Sequence, residues 1–512
     1  MAKILSPLSV VAPGALGLNT KSAGLDIGPQ WCTNIRNGVV SDQGTLAARK
    51  GWIPFNGSDP ISGEPDINVI HEYIDNSNNS RIIYVADKTI YEGLTTPTDV
   101  TGTITTPTAD NWKFVNFNGK VIGVQADHKP IVKVDGGDFE DISFDITLPD
   151  PVEALAAWGR VWYVASDRQT IYWSDLLIEN KLTGGSSGLL NMYTVWANGT
   201  DEIVALREFN NALVIFGKKQ IVIYTGAEDP INDLALVDII DNLGCMARDS
   251  VQNVGNDVLF LSDEGIFSLA RNIQASGNVK SLPLANLADN ASQFLALFSL
   301  GENTNLIKSA YKADEGFYLI IFPTSKVAFY LNLKYQTPDN KARVFVWYDM
   351  EPSAIASTRD DLLLVGKEGL IGRYEGHRDN GQPYLFQMKS GWATGGEEAS
   401  SIRKIYKQAI VTFRGGFGAR VTFDWSYDFL PTVFDSKNEP IDSTLSPFEY
   451  GIAEYGESEY SRVNPVSTMS YNMSGSGKAV QIGFESVVDG SPLDVQKADI
   501  YVKSGQIARR GQ

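Results

Sequence analysis

Residues 158–175 read WGRVWYVASDRQTIYWSD. A Gly-containing turn opens the stretch, an apolar and aromatic run follows, a short polar turn intervenes, and a second run with Ile, Tyr and Trp closes it. Two β-branched and aromatic runs separated by a short polar turn are the signature of a β-hairpin. The same pattern returns at 80–93 (SRIIYVADKTIYEG), 118–134 (NGKVIGVQADHKPIVKV), 210–226 (NNALVIFGKKQIVIYTG), 255–271 (GNDVLFLSDEGIFSLAR), 314–332 (DEGFYLIIFPTSKVAFYLN) and 358–376 (TRDDLLLVGKEGLIGRYEG). Asn118-Gly119 and Glu264-Gly265 supply turn residues that tolerate positive φ.

These seven hairpins recur every 40 to 60 residues or so, the length of a four-stranded propeller blade. Weaker strands precede several of them, at 152–158 (VEALAAW), 203–209 (IVALREF) and 250–255 (SVQNVG). The reading is an all-β chain whose residues 67–390 form a β-propeller. It has six or seven blades, because terminal units often share a blade with one strand from each chain end. Residues 1–66 form an N-terminal segment of irregular structure with strands contributing to the propeller or platform. From Leu284 to Leu300, apolar residues fall at helical spacing and Gly301 supplies a stop, so a short helix is expected between two blades. A second brief helix is expected at 175–181 (DLLIENK).

Beyond the Gly- and Ser-rich junction at 390–400, alternating runs begin at Arg403, Arg420, Ser467, Ala479 and Val495. Period-two alternation marks half-buried antiparallel strands, so residues 391–512 are expected to form a β-sandwich. A long loop at 434–465 interrupts it, carrying EYGIAEYGESEYS at 449–461. Tyr and Phe are enriched at interface cores, so Phe448, Tyr450, Tyr455 and Tyr460 form the candidate partner interface.

The chain has 512 residues with 43 Lys+Arg against 61 Asp+Glu, a net charge of −18. DNA-gripping proteins neutralise phosphates with clustered Lys and Arg, so an adhesive DNA groove is unexpected. Cys32 and Cys245 are too few and too far apart for a disulfide framework or zinc site, and are read as buried free thiols. Pro7 and Pro13 interrupt the apolar N-terminus, which reads as neither signal peptide nor membrane segment.

Catalytic motifs are missing. No G-x-x-x-x-G-K-[ST], H-E-x-x-H or G-x-S-x-G is present, and the Gly415-GFG cluster lies between strands. His71, His128 and His377 lack ligand spacing. Ser262-DEG resembles half of an Asp-box turn but does not recur. Asp135, Asp138, Glu140 and Asp141 lack EF-hand order and read as a solvated acidic loop. No catalytic, cofactor or metal residue is assigned, and the chain is expected not to be an enzyme. The alternative is a propeller glycosidase or depolymerase acting on host surface glycans. A cellular peptide-binding propeller is disfavoured by the lack of WD or kelch signatures.

Two blocks resemble a known family. Residues 17–52 (GLNTKSAGLDIGPQWCTNIRNGVVSDQGTLAARKGW) are similar to the opening of the tail nozzle and packaged-DNA stabilisation proteins of short-tailed bacteriophages, through a G-L-N start and a G-x-L-x-x-R-x-G element at Gly44, Leu46, Arg49 and Gly51. Residues 240–269 resemble a second family block through Gly244, Cys245, Ser250, Val251, Gly255, Asn256, Phe260, Leu261, Ser262 and Gly265. The segment 434–465 matches no family element. The resemblance implies a structural virion protein, made in the host cytoplasm and resident in the phage tail. Such a protein forms a homohexameric nozzle beneath the adaptor or connector ring, with a tail spike, fibre or channel plug as further partners. It retains the packaged double-stranded DNA and conducts it outward without sequence-specific binding. Six copies of a −18 chain carry about −108, and an acidic lumen would limit sticking of DNA in transit.

Overall fold

The computed structural model describes residues 6–22, 26–55, 60–104, 111–197, 199–270, 273, 297–298, 301–395, 402–430, 432–441 and 466–504. Turn chemistry sets the local structure. Asn118-Gly119, Trp158-Gly159 and Asn210-Asn211 all lie at φ between 47° and 69°, and each pair joins strands directly opposed at Phe117↔Lys120, Ala157↔Arg160 and Phe209↔Ala212. These are two-residue hairpin turns whose twist matches that of the strands. Trp158 is the unusual member, since a bulky side chain in the left-handed region costs about 1–2 kcal/mol. Its indole Nε1–H donates to Asn211 Oδ1 of the next hairpin at 2.8 Å, and its ring packs edge-on against Trp162.

The hairpins extend into seven small antiparallel sheets. Blade 1 runs from Ile67–Ile74 to Thr98–Asp99, blade 2 from Lys113–Phe117 to Glu140–Asp141, blade 3 from Glu153–Ala157 to Gly188–Asn191, and blade 4 from Ile203–Phe209 to Ala235–Asp241. Blade 5 has three described strands, Gln252–Val254, Asp257–Ser262 and Gly265–Ser268. Blade 6 runs from Lys308–Lys312 to Ala342–Trp347. Blade 7 is built from Ala354–Ser357, Leu363–Lys367 and Leu370–Tyr374, and its fourth strand is Trp52–Pro54 from the other end of the chain, in register at Tyr374↔Trp52. The inner strand of blade 7 packs beside that of blade 1, which closes the ring. The chain is an all-β propeller, and seven sheets settle the alternatives left by the hairpin count.

Side chains explain why the hairpins read as continuous apolar runs. In the second strand of blade 4, Leu213 and Ile215 join a core with Trp162 and Ile171 of blade 3, while Val214 and Phe216 join a core with Val258 and Phe260 of blade 5. Successive residues point to opposite faces of a strand, and both faces are covered. Period-two polarity is therefore lost in the middle strands and retained at the periphery.

The remaining strands form two packed sheets. One is ordered Gly38–Val40, Leu46–Ala48, Leu493–Ser504, Lys404–Gly415, Val466–Asn472, with Ser6–Val11 also pairing on Leu493–Ser504. The other is ordered Cys32–Arg36, Tyr384–Ser390, Val480–Val488, Arg420–Tyr427, Asp435–Pro440. Phe413, Phe423, Tyr471 and Phe484 fill the space between them, with ring centroids 4.9 to 5.7 Å apart.

Several expectations are corrected. Tyr384–Ser390, assigned to the propeller range 67–390, pairs with Cys32–Arg36 and Val480–Val488 in the sandwich, because the N-terminus has taken its place in blade 7. Most N-terminal strands likewise lie in the sandwich. The loop expected at 434–465 begins as an edge strand, Asp435–Pro440, paired with Arg420–Tyr427. The helix expected at 175–181 is a series of turns. There the Asp175 carboxylate accepts from Leu176 N–H, Ser186 N–H and the Lys181 ammonium at 2.7 to 3.0 Å, side-chain bonds that compete with a helical backbone. The helix expected at Leu284–Leu300 lies outside the described residues except for Leu297 and Phe298, which are helical. No helix among the described residues is long and apolar enough to cross a membrane.

One buried arginine fastens the propeller to the sandwich. Arg49 donates from Nε to Asn37 Oδ1, from Nη1 to Lys50 O and Asp379 Oδ1, and from Nη2 to Tyr348 O and Asp379 Oδ2, at 2.6 to 3.1 Å. All five N–H groups are satisfied, and the guanidinium lies over the Tyr384 ring at 4.1 Å. Tyr348 follows blade 6, Asp379 follows blade 7, and Asn37 and Tyr384 belong to the sandwich. Two residues on, a Cβ at Gly51 would lie 1.9 Å from the Arg378 carbonyl oxygen, so only glycine allows the chain to pass there.

Candidate functional site

Each blade's inner strand pairs on one side only, so its other edge of N–H and C=O groups faces the propeller axis. The strands of blades 2, 3 and 6 start with charged residues, Lys113, Glu153 and Lys308. Ring closure brings these together with Arg207 of blade 4 and with the short 3-10 turn Arg248–Ser250 that precedes blade 5.

The turn is held rigidly. Ser250 Oγ donates to Ala247 O at 2.7 Å and accepts from Leu261 N–H at 3.1 Å, while the Tyr318 hydroxyl donates to Ser250 O at 2.7 Å. Cys245 Sγ donates to Ala247 O, and burial pushes this thiol up to about 11. From this platform Arg248 reaches across the axis. Its Nη1 donates to Val152 O at 3.0 Å, and Nη2 to Asn111 O at 3.0 Å, Asn111 Oδ1 at 2.6 Å and Trp112 O at 3.2 Å. One side chain from the turn before blade 5 thus satisfies carbonyls at the entries to blades 2 and 3.

Asp249 collects three cations. Lys308 Nζ lies 2.6 Å from its Oδ2, Arg248 Nη2 2.9 Å from the same atom, and Lys113 Nζ 3.3 Å from Oδ1. Burial alone would raise its pKa, but Arg248, Lys308 and Lys113 hold it well below the usual carboxylate range. Glu153 behaves oppositely. Burial raises its pKa against the pull of Lys113, Arg248 and Arg207. Its carboxylate is 3.4 Å from Arg248 Nε and 3.7 Å from Arg207 Nη1, yet neither oxygen accepts a hydrogen bond. Burial, with Arg207 nearby, also lowers Lys113. Among the described residues, Lys113, Arg207, Arg248 and Lys308 are gathered here around Glu153 and Asp249.

Beside the cluster lies a cavity of about 260 Å³, lined by the inner strands of blades 1, 2, 5, 6 and 7 and by Asp249, Lys113 and Lys308. His71 lies on its wall. Asn116 Nδ2 donates to Glu72 O, which leaves Asn116 Oδ1 to accept from His71 Nε2–H at 3.0 Å. Burial lowers the His71 pKa to about 4, so the ring is neutral at pH 7.

The residues singled out from sequence fall elsewhere. Phe448, Tyr450, Tyr455 and Tyr460 lie outside the described residues. The acidic group after Lys133 is divided: Asp135 pairs with Arg81 at 2.9 Å and Asp141 faces Lys129 at 3.9 Å. Among the described residues no three His, Cys, Asp or Glu side chains are grouped to hold a metal ion. His377 Nδ1–H donates to Arg49 O at 3.3 Å. Gly415, Gly416 and Gly418 all have positive φ in the turn between two sandwich strands. Cys32 is buried beneath the N-terminal segment and donates to Gly14 O. Sequence reading passed over the axial residues, although a charged residue opening the inner strand of several blades is a periodic signal that points to them.

No family model and no curated protein matches the chain. Solved structures similar to it include streptogramin B lyase, at 13% identity over 64% of this chain and 97% of that chain with a TM-score of 0.35. The WD40 β-propeller domain of Doa1 is similar at 10% identity over 63% and 96% with a TM-score of 0.37, and the computationally designed Ika8 protein at 13% over 64% and 99% with 0.37. The sheets themselves define the class: an all-β propeller with an appended sandwich and charged side chains gathered at its inner strands.

Proposed function

We propose that this chain is a structural virion protein of a short non-contractile phage tail, a nozzle subunit that assembles as a homohexameric ring, retains packaged DNA and conducts it during ejection. The observation that carries the reading is the placement of the two family-like blocks. The first contributes Arg49 and Gly51 to the joint between propeller and sandwich. The second contributes the turn whose Arg248 ties blade 5 to the entries of blades 2 and 3. Both serve rigidity, which a conduit under the pressure of packaged DNA requires.

The bridged axis bears on where DNA would run in this reading. With Arg248 bridging the inner strands beside a cavity of only about 260 Å³, the proposal has the DNA channel between copies, inside the ring. The −18 charge per chain suits a wall that DNA slides past. For the glycosidase alternative a carboxylate must be available as acid or nucleophile. Asp249 is held by three cations and Glu153 lies beneath Arg248 and Arg207, an arrangement that favours the structural reading.

Negative-stain electron microscopy of the purified protein is expected to show rings with a central opening. A protein that stays monomeric at all concentrations and is absent from virions would sink the proposal. Release of reducing sugar from host surface glycans, abolished by one Asp or Glu substitution, would replace it with the enzyme.

A further inference from the structure

We infer that copies of this chain meet head to tail, with the apolar hairpin tip at 428–435 of one sandwich seated on the rim of blades 3 and 4 of the next propeller. The tip joins Arg420–Tyr427 to Asp435–Pro440. On it Phe429, Leu430, Val433 and Phe434 are 38 to 60% exposed. Asp428 and Phe429 both lie in the left-handed region, at φ of 52° and 63°, a backbone that residues other than glycine rarely adopt. The turn is nonetheless well supported. Asp428 Oδ1 accepts from the Lys478 and Ala479 N–H groups, and the Trp392 and Tyr427 rings lie 4.9 Å from Phe429 and 5.1 Å from Phe434. A strained but buttressed turn that presents several large apolar side chains to water marks a contact surface.

The propeller rim supplies the complementary surface. Ala235–Asp241 is the outermost strand of blade 4, and Leu236 and Val237 on it, with Ile231 just before it, are 47 to 60% exposed. On blade 3, Leu176, Leu177 and Leu189 are 52 to 56% exposed. A Cβ at Gly159 would lie 3.0 Å from Leu176 and 3.7 Å from Leu177, which puts them beside the Trp158-Gly159 turn that bonds Asn211 of blade 4. Charge tells the two surfaces apart. Glu228, Asp229, Asp233 and Asp238 border the rim, and no Lys or Arg occurs between Gln220 and Ala247. Beside the tip, Arg403 bonds Ser476, Lys404 donates to Lys478 O, and Lys503 stands opposite Ile405; Arg403, Lys478 and Lys503 are exposed. The tip's own acids are Asp428 and Asp435. The chain that runs on from these strands, at 1–5, 396–401 and 505–512, carries Lys3, Arg509 and Arg510 against Glu397 and Glu398, so the basic sign is kept. Tip on tip or rim on rim would bring like charges together, whereas tip on rim pairs opposite ones. Apolar burial supplies the attraction and charge selects the pairing. A contact between two different patches of one chain is heterologous, and it yields a ring when the rotation closes. Such a contact rests on the homohexameric reading proposed above and names the surfaces that would close it.

Sedimentation velocity of the purified full-length protein tests the contact, with Leu430→Asp and Val433→Asp combined in a tip variant and Leu236→Asp and Val237→Asp in a rim variant. Each is expected to stay monomeric at roughly tenfold the concentration at which the wild type associates. Mixed in equal amounts, the two should form dimers and nothing larger, because one sound tip and one sound rim remain between them. A mixture that stays monomeric would overturn the contact. Rings formed equally well by the wild type and both variants would overturn it too while leaving the nozzle reading in place, and a wild type that never associates would overturn both. Should a variant misfold, Leu430→Ser and Val237→Ser decide by the same measurement: association weakened roughly tenfold supports the contact, and unchanged association refutes it. In flotation, the monomeric rim variant is expected to ignore phosphatidylglycerol vesicles. Flotation that disappears when the tip substitutions are added would overturn the second copy as occupant in favour of a lipid surface.

Discussion

Arg49 uses every guanidinium N–H inside the protein and carries no solvent exposure, with Asp379 as its bidentate partner. Removing one member of a buried pair leaves the other charge uncompensated, which costs about 3–5 kcal/mol. Arg49→Ala is therefore expected to lower unfolding free energy by about that amount in urea melts. Arg49→Met with Asp379→Leu should recover a substantial part, and equal damage from the single and double variants would refute the account. His71 gives a second residue-scale prediction. Its folded pKa of about 4 lies below the ordinary 6.5, so the unfolded chain takes up a proton that the native state refuses. The contribution of His71 is whole above pH 6.5 and is lost as pH falls toward 4, by about 2–3 kcal/mol. His71→Gln should flatten this part of the stability–pH curve. A variant that tracks the wild type across that window would show that His71 is not the group.

At the level of elements, the N-terminal segment is the piece on which both sheets systems depend. Trp52–Pro54 completes blade 7, and Ser6–Val11, Cys32–Arg36, Gly38–Val40 and Leu46–Ala48 lie in the two sandwich sheets. Without them, Leu370–Tyr374, Tyr384–Ser390 and Leu493–Ser504 would each expose an unpaired edge, a template for aggregation. A chain of residues 56–512 is expected to be insoluble or aggregated by size-exclusion chromatography, and co-expression of residues 1–55 should restore soluble protein. A cooperative, monodisperse 56–512 would show that the strands are ornamental. The same element explains the displaced boundary near residue 390. A strand specified by local pattern alone can pair with any free sheet edge, and Tyr384–Ser390 found its partners in Cys32–Arg36 and Val480–Val488 because blade 7 was already complete.

For the whole molecule, assembly is the property that matters to the proposed function. In the proposed hexamer six copies would bring together about −108 of charge, so ring formation should strengthen with added salt as repulsion is screened. The aromatic segment 446–461 is the proposed partner contact through Phe448, Tyr450, Tyr455 and Tyr460. Its deletion is expected to leave the monomer's thermal melt within a few degrees of wild type while lowering tail assembly and infectivity. Normal assembly and full infectivity in the deletion strain would count against the contact. The shortest route to both answers is sedimentation velocity across a salt series, followed by complementation with the deleted gene.

Sequence by itself determined the hairpins. Asn-Gly and Trp-Gly turns, strand-length apolar runs and a blade-length period are local features, and local hydrogen bonding and side-chain volume are enough to specify them. It also marked Arg49, Gly51 and the 240–269 block, though not what they do. Tertiary structure decided the rest. Which strand fills blade 7 depends on Trp52 and Tyr374 meeting across more than three hundred residues. The expected helix at 175–181 yielded to bonds between Asp175 and Ser186, eleven positions away. The axial site is the clearest case: Lys113, Glu153, Arg207, Arg248 and Lys308 are scattered over about two hundred residues and become one cluster only when the ring closes. Their charges read as surface residues until closure removes water from around them, and desolvation is a property of the assembled fold rather than of any one segment.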